Sequence, residues 1–345
     1  MKDRFFLVVV LLIMASAVGL ALPKLQVYRY QPREFKNLPA DMVLNANMVL
    51  DSWVKDDNPW PAGKRIAIMV HGCPAFWGSY KDMTPLAAYL SNGRKINDKV
   101  IPAYDLIYAI SYPTGSGIFQ TTRSFVDLFI DKTNQFTPND KVDIFAHSMG
   151  GLIVRSAIWM MGYGETVIGI THNEGKVCGC FQTKIARVVF MGTPQNGFDE
   201  EELKILRENY NNLPVEVNDM YFESMILFFL NSPDEDKIVP CDYYSIVGLC
   251  SYKPDDFLKN KVGLGYKIFK AIQDANFPVH DGLVSSESAG FDLKPFCHQF
   301  KLASLSLNHD AIKSHPRVFS TIDKWMIDDH WFDKPEGEVQ PEVQD

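Results

Sequence analysis

Residues 142–155, Val-Asp-Ile-Phe-Ala-His-Ser-Met-Gly-Gly-Leu-Ile-Val-Arg, constrain this chain more than any other stretch. The apolar run over 142–145 reads as a buried strand and 152–161 as a helix, with Ser148 at their junction. A strand that turns straight into a helix must bend sharply, and backbone and neighbouring strands crowd the bend. Ala146 and Gly150, two residues before and two after Ser148, are the small residues such crowding demands. The bend lifts the Ser148 hydroxyl above the sheet. It also leaves the Met149 N–H beside that hydroxyl at a helix start, where backbone donors point outward.

The rest of the chain repeats the pattern. Apolar, β-branched runs at 65–70, 105–111, 186–191, 243–249 and 300–307 read as strands. Segments 83–90, 125–133, about 255–274, and 311 onward read as helices. Strand–helix alternation implies an α/β architecture: a mostly parallel central sheet with helices on both faces. In such a sheet the strands' C-terminal ends share one edge, and functional residues gather there. Ser148, Cys73, Asp281 and His309 each follow a strand at that end. The loop Tyr112-Pro113-Thr114-Gly115-Ser116-Gly117 has glycines but no following Gly-Lys-Ser/Thr, which argues against a nucleotide-phosphate loop.

The hexapeptide Ala146-His147-Ser148-Met149-Gly150-Gly151 resembles the nucleophile elbow of α/β-hydrolases, in the alanine variant found in some bacterial lipases. Gly192-Thr193-Pro194-Gln195-Asn196-Gly197, after a strand, is similar to a stretch lipases carry at this point, although a turn shaped by Gly and Pro explains these residues without chemistry. In such enzymes a strand ending in His-Gly leads into the loop that supplies half of the oxyanion hole. Here that strand ends in His71-Gly72-Cys73-Pro74, and Pro74 has no N–H, so the resemblance gives the role to the Cys73 amide, with Met149 as the second donor. Asp281-Gly282-Leu283-Val284 resembles the family's catalytic-acid loop.

The resemblance implies a Ser148–His309–Asp281 set in the order Ser, Asp, His. Of the eight histidines, only His309 follows both the acid and a strand's C-terminal end. His71, His147, His172 and His280 precede Asp281; His298 comes before the last strand, His315 lies inside the following helix, and His330 is near the tail. Asp292 and Asp310 are the runner-up acids. Calcium-dependent bacterial lipases carry an aspartate two residues beyond the catalytic histidine; Ala311 stands there, so neither metal nor cofactor is expected.

Residues 198–238 break the alternation, and in this family an insertion here commonly forms a lid. Its apolar part, 221–230, has two readings: Phe222, Met225, Ile226 and Phe229 contact an acyl chain or lipid surface, or they pack into the core. The function implied is hydrolysis of carboxylic esters with apolar acyl chains, a lipase or carboxylesterase. An acyltransferase, phospholipase or thioesterase would use the same residues, and a non-catalytic lipid-binding protein on this scaffold is the reading from another class.

A net charge of −8 with no basic cluster excludes a nucleic-acid partner. Met1-Lys2-Asp3-Arg4, an uncharged run over 5–23, and the small-residue sites at Ala17 and Ala21 read as a signal peptide over 1–21, hence export, with an uncleaved membrane anchor as the alternative. The expected organisation is then an N-terminal extension over 22–62 with a helix near 40–54, a hydrolase domain over 63–333 with its lid at 198–238, and an acidic, disordered tail over 334–345. Segment 163–181, with Cys178 and Cys180, reads as irregular. Six cysteines permit disulfides in an exported chain. Cys241 and Cys250 flank an extended run, about 25–30 Å apart, and cannot bond each other.

Overall fold

The computed structural model describes residues 22–31, 52–73, 79–167, 184–209, 215–232, 239–249 and 279–332. The signal peptide, the acidic tail, the 255–274 helix and Cys178, Cys180 and Cys250 lie outside these residues.

Eight strands form the central sheet: β1 (Gln26–Tyr30), β2 (Trp53–Lys55), β3 (Ile66–Val70), β6 (Leu106–Ser111), β7 (Val142–His147), β8 (Ile185–Met191), β9 (Val239–Gly248) and β10 (Cys297–Leu305), with β4 (Arg94–Ile96) and β5 (Lys99–Ile101) making a separate hairpin. The order across the sheet is β10-β9-β8-β7-β3-β6-β1-β2. From β6 to β10 every pairing is parallel, while β1 is antiparallel to both β6 and β2. The sheet and the helices that cover it are the α/β fold expected from the alternation.

The described parts of the segment expected as an appended extension, β1 and β2, are therefore built into the sheet. Trp53 and Val54, expected at the end of a helix, are strand. The Trp53 ring packs edge-on against Tyr30 and Tyr80, and its Nε1 donates to Thr84 Oγ1 at 2.8 Å. A large aromatic with a polar edge gains more from that site than a short helix would give it.

The inner strands are buried on both faces, and successive side chains enter opposite cores. From β3, Ile66, Ile68 and Val70 enter one core, which is closed by α2 (Gly117–Lys132) and α3 (Met149–Val167) through Phe125, Phe129, Leu152 and Ile153. Ala67 and Met69 enter the other, closed by α1 (Thr84–Leu90) and α8 (Pro316–Asp328) through Leu86, Leu90, Val318 and Ile322. Helix α3 runs to Val167, so residues 163–167, expected as irregular, are helical. A carboxylate of the sheet sits within this apolar frame. Asp143, in β7, takes the Tyr104 hydroxyl at 2.6 Å and the Arg187 guanidinium at 3.1 Å, the pairing a buried charge requires.

The described residues of 198–238 hold three short helices, α4 (Glu200–Asn209), α5 (Glu216–Asp219) and α6 (Met225–Asn231). Its apolar stretch divides between the two expectations. Leu227 and Leu230 are buried in the core, whereas Phe222, Met225 and Phe228 are 43%, 44% and 47% exposed. Ile226 and Phe229 are half-buried, with Phe229 stacked on Trp159 of α3. Helix α7 (Ser286–Ala289) precedes β10.

Candidate active site

The register aligns the C-terminal ends of the parallel strands. Val70 pairs with Ile110 on one side and with Ala146 on the other, Ala146 pairs with Phe190, and Gly248 with Leu305. The residues just beyond these ends, His71, Tyr112, Ser148, Gly192 and His309, therefore meet along one edge.

Ser148 joins β7 to α3 with φ of 54°, in the left-handed region that a side chain ordinarily avoids. Its N–H donates to the Met191 carbonyl at 2.9 Å, and its own carbonyl takes the Gly151 N–H at 2.9 Å, so both flanks of the bend are held. Gly150 packs its bare Cα under the bend against the Val70 carbonyl, where a Cβ would come within 2.7 Å of the oxygen.

The structure brings Ser148, His309 and Asp281 together. Ser148 Oγ lies 2.9 Å from His309 Nε2, and His309 Nδ1 lies 2.8 Å from Asp281 Oδ2. All three are buried, at 4%, 8% and 1% exposure. The Asp281 carboxylate is itself tied down. Its Oδ1 accepts the N–H groups of Leu283 at 3.0 Å and Val284 at 2.8 Å, which leaves Oδ2 for the imidazole. A second contact runs through the main chain, where the His309 N–H donates to the Asp281 carbonyl at 2.8 Å. The Nδ1 proton therefore faces the carboxylate, and Nε2 offers its lone pair to the serine hydroxyl.

Two glycines make room for this contact. Gly192, with φ of 58°, opens the turn after β8; a Cβ there would stand 3.0 Å from Asp281 Oδ2 and 3.2 Å from His309 Nδ1. Gly248 ends β9, and a Cβ there would meet Asp281 Cβ at 2.5 Å. The Gly-Thr-Pro-x-x-Gly stretch, to which the sequence assigned only a turn, thus borders the His309–Asp281 contact. Gly248 carried no motif, since its requirement comes from a residue far along the chain.

The runner-up acids lie elsewhere. Asp310 pairs with Lys313 at 3.2 Å, and Asp292 accepts the Lys294 N–H at 3.0 Å. His298 lies within β10, not before it, at the strand's far end beside Asp242 at 2.8 Å. His315 is not inside the last helix but caps it, its Nδ1 accepting the Arg317 N–H at 3.1 Å. Cys73 follows β3 on the same edge as Ser148, and Met149 opens α3 directly after it. Among the acyl or lid candidates, Phe229 meets Trp159 and Phe222 meets Tyr221 edge-on.

Two further histidines brace the site. His71 stacks on Tyr112 with centroids 4.2 Å apart, and the Tyr112 hydroxyl donates to the His71 carbonyl. Its Nδ1–H donates to the Gly72 carbonyl at 3.0 Å. Burial pushes this imidazole down to about 4, so it is neutral at ordinary pH. His147, directly before Ser148, lies 2.8 Å through Nε2 from the His309 carbonyl. No group of three or more His, Cys, Asp or Glu able to hold a metal occurs among the described residues.

Residues 61–190 match the family described as "Putative serine esterase (DUF676)". No curated protein sequence matches the chain. Among solved structures, the chain is similar to the mature lipase BlEst2 of Bacillus licheniformis at 15% identity, with 78% of this chain and 94% of that chain covered and a TM-score of 0.50. The product of gene lin2722 from Listeria innocua aligns at 13% identity over 79% of this chain and 96% of its own, with a TM-score of 0.44. A hydrolase from Oleispira antarctica, olei00960, aligns at 9% identity over 78% and 93%, with a TM-score of 0.43.

Proposed function

We propose that this chain, a serine hydrolase of the α/β-hydrolase superfamily, cleaves carboxylic esters with apolar acyl groups through an acyl-enzyme on Ser148. One observation carries the proposal: the buried relay of Ser148 Oγ, His309 and Asp281 at 2.9 and 2.8 Å, built on a serine held at positive φ. Backbone strain at a buried nucleophilic side chain is the kind of cost a fold retains for chemistry.

In the mechanism, His309 Nε2 takes the Ser148 proton as Oγ bonds to the ester carbonyl carbon. The carbonyl π-electrons move onto oxygen, and the N–H groups of Cys73 and Met149 hold that oxyanion. Asp281 orients the imidazole and stabilises its cation. The intermediate collapses, the C–O bond to the alcohol breaks, and the leaving oxygen takes the proton from His309. Water then attacks the acyl-enzyme, giving its proton to His309, and the carboxylic acid departs as Ser148 Oγ recovers a proton. Losing one oxyanion donor typically costs about 3–4 kcal/mol of barrier. The exposed Phe222 and Met225 and half-buried Ile226 and Phe229 supply the apolar contacts for the acyl group or its lipid surface. Residues 1–21 act as a signal peptide, and the mature chain begins near residue 22, which N-terminal sequencing of exported protein tests.

The decisive experiment is hydrolysis of a chain-length series of para-nitrophenyl esters, with Ser148→Ala as control. Turnover by the native protein that disappears in Ser148→Ala is the expected result. Turnover retained by Ser148→Ala overturns the assignment. Phosphonate labelling at Ser148 without ester hydrolysis would move the reading to acyl transfer.

A further inference from the structure

His147 has no part in the mechanism above, yet it borders the nucleophile, the base and the proposed oxyanion loop. It is the peptide neighbour of Ser148, its Nε2 lies 2.8 Å from the His309 carbonyl oxygen, and the two imidazole centroids are 4.7 Å apart. A Cβ on Gly72, at the base of the proposed oxyanion loop, would come within 3.0 Å of His147 Nδ1. The side chain is 4% exposed.

The chemistry of this contact is fixed by its partner. A carbonyl oxygen only accepts, so Nε2 carries the proton and donates it. Burial first, then the nearby charges of His309 and Lys313, push the His147 imidazole well below its usual range, so the ring is neutral and Nδ1 bears the lone pair. Its Nε2 is occupied and protonated, and it cannot compete with His309 for the serine proton. Neutrality also matters for the neighbour. A cation here would repel the imidazolium that His309 becomes in each half of the reaction.

The contact closes a loop of main-chain restraints. The His309 N–H is held by the Asp281 carbonyl at 2.8 Å. The His309 carbonyl is held by His147 at 2.8 Å. The Ser148 N–H, on the other side of the His147 peptide, is held by the Met191 carbonyl at 2.9 Å. Nucleophile, base and acid thus share one hydrogen-bonded frame, although they lie on three loops from β7, β10 and the segment before α7.

We infer that His147 is a positioning residue for the reaction: its Nε2–H pins the backbone of the general base and fixes the distance from His309 Nε2 to Ser148 Oγ. The inference rests on the reading of Ser148 and His309 as nucleophile and base. Proton transfer is steep in distance, and a misplacement of about 1 Å costs on the order of 100-fold in rate.

The test compares native protein, His147→Leu and His147→Gln, whose amide N–H reaches toward the same carbonyl. Three quantities are read: kcat and KM on a soluble para-nitrophenyl ester, the rate of Ser148 labelling by a fluorophosphonate, and the low-field proton resonance of the His309–Asp281 hydrogen bond. His147→Leu is expected to lower kcat and the labelling rate by about 10- to 100-fold, to leave KM within about twofold, and to broaden or lose the resonance. His147→Gln is expected to recover most of the rate and the resonance. A residue that only fills space would not yield that split or that rescue. His147→Leu with native kcat, labelling and resonance overturns the inference. Where His147→Leu does not fold, His147→Gln decides alone, and a more than tenfold loss in its labelling rate overturns it. Failure of the underlying reading looks different, because native protein itself would then not be labelled at Ser148.

Discussion

The carboxylate of Glu216 offers the sharpest test of how the 198–238 segment is attached. It is 1% exposed, and its Oε1 accepts three consecutive backbone N–H groups, Gly115 at 2.6 Å, Ser116 at 3.1 Å and Gly117 at 3.2 Å. These donors lead into α2, whose first turn has no partners within the helix. The next donor, Ile118 N–H, is taken by Asp219 Oδ2 at 2.7 Å. The loop, whose sequence argued against a phosphate site, thus takes its anion from the protein itself. Glu216→Ala removes the acceptor from three donors and a negative charge from the positive end of a 16-residue helix. Each stranded buried donor costs about 1–3 kcal/mol, and water entering the vacated space returns part of that. The net loss is about 3–4 kcal/mol. Glu216→Gln keeps an acceptor at the same place and loses the charge, for about 1–2 kcal/mol. Urea unfolding measures both, and hydrogen exchange of residues 113–118 and 215–232 localises the effect. A loss below about 1 kcal/mol in Glu216→Ala, with exchange over 113–118 unchanged, would refute the argument that this carboxylate holds the helix end.

Three other expectations follow from the geometry. Gly192→Ala forces a methyl against Asp281 Oδ2 and His309 Nδ1 at positive φ, so kcat should fall at least tenfold with little change in KM, as steady-state kinetics will read. Ser148→Gly should be inactive yet more stable than Ser148→Ala by about 1 kcal/mol in urea unfolding, because only glycine occupies φ of 54° without cost. Among the groups that link stability to pH, His71 and Glu202 act in opposite directions. His71, lowered to about 4 by burial, leaves the unfolded chain binding the extra proton, so its contribution is complete above pH 6.5 and fades as pH falls towards 4. Glu202, raised to about 7 mainly by burial, binds the extra proton in the folded state, and its contribution is complete below pH 4.5 and fades as pH rises to 7. Glu202→Gln should therefore steepen the loss of stability between pH 7 and 4, and His71→Gln should flatten it, in urea titrations across that range.

How much the sequence disclosed depends on how local each cause is. The β7–Ser148–α3 bend is specified by neighbours in sequence, Ala146 and Gly150 above all, and it could be read directly. The strand ends that carry Cys73 and His309 were legible because period and order are local signals. The roles of Gly248, Glu216 and His147 are not local. Each answers to a partner far along the chain: Asp281 for Gly248, the 115–117 loop for Glu216, His309 for His147. Nothing beside them in sequence distinguishes them from an ordinary strand end, a solvated carboxylate or a core histidine. The strand at Trp53–Lys55 was missed for the same reason, since its helical pattern yields to an aromatic site made by Tyr30 and Tyr80.

The attachment of 198–238 also bears on how a substrate reaches Ser148. Besides Glu216 and Asp219, the segment is held by Arg155 of α3, a 3% exposed guanidinium that donates to the Leu230 carbonyl at 2.8 Å and to Gln195 Oε1 at 3.2 Å. Swinging the whole segment away would break the Glu216, Asp219 and Arg155–Leu230 contacts together and expose Leu227 and Leu230. Hydrogen bonds to charged groups contribute about 1.5–3 kcal/mol each, and each buried leucine about 1.5–3, so the opening costs on the order of 10 kcal/mol. An open state that costly is populated on the order of one part in ten million. Turnover that waited for it would be negligible in solution and would appear only when a lipid surface offset the cost. A fixed segment instead lets soluble esters react at once. The outward Phe222, Met225 and Phe228 then need not unfold from the body. The expected result is ester hydrolysis without a lag and without a jump as substrate passes from dissolved to emulsified. A rate that rises more than tenfold at that transition, and is lost in variants that keep α5 and α6 pinned by an added disulfide to α2 or α3, would overturn the argument.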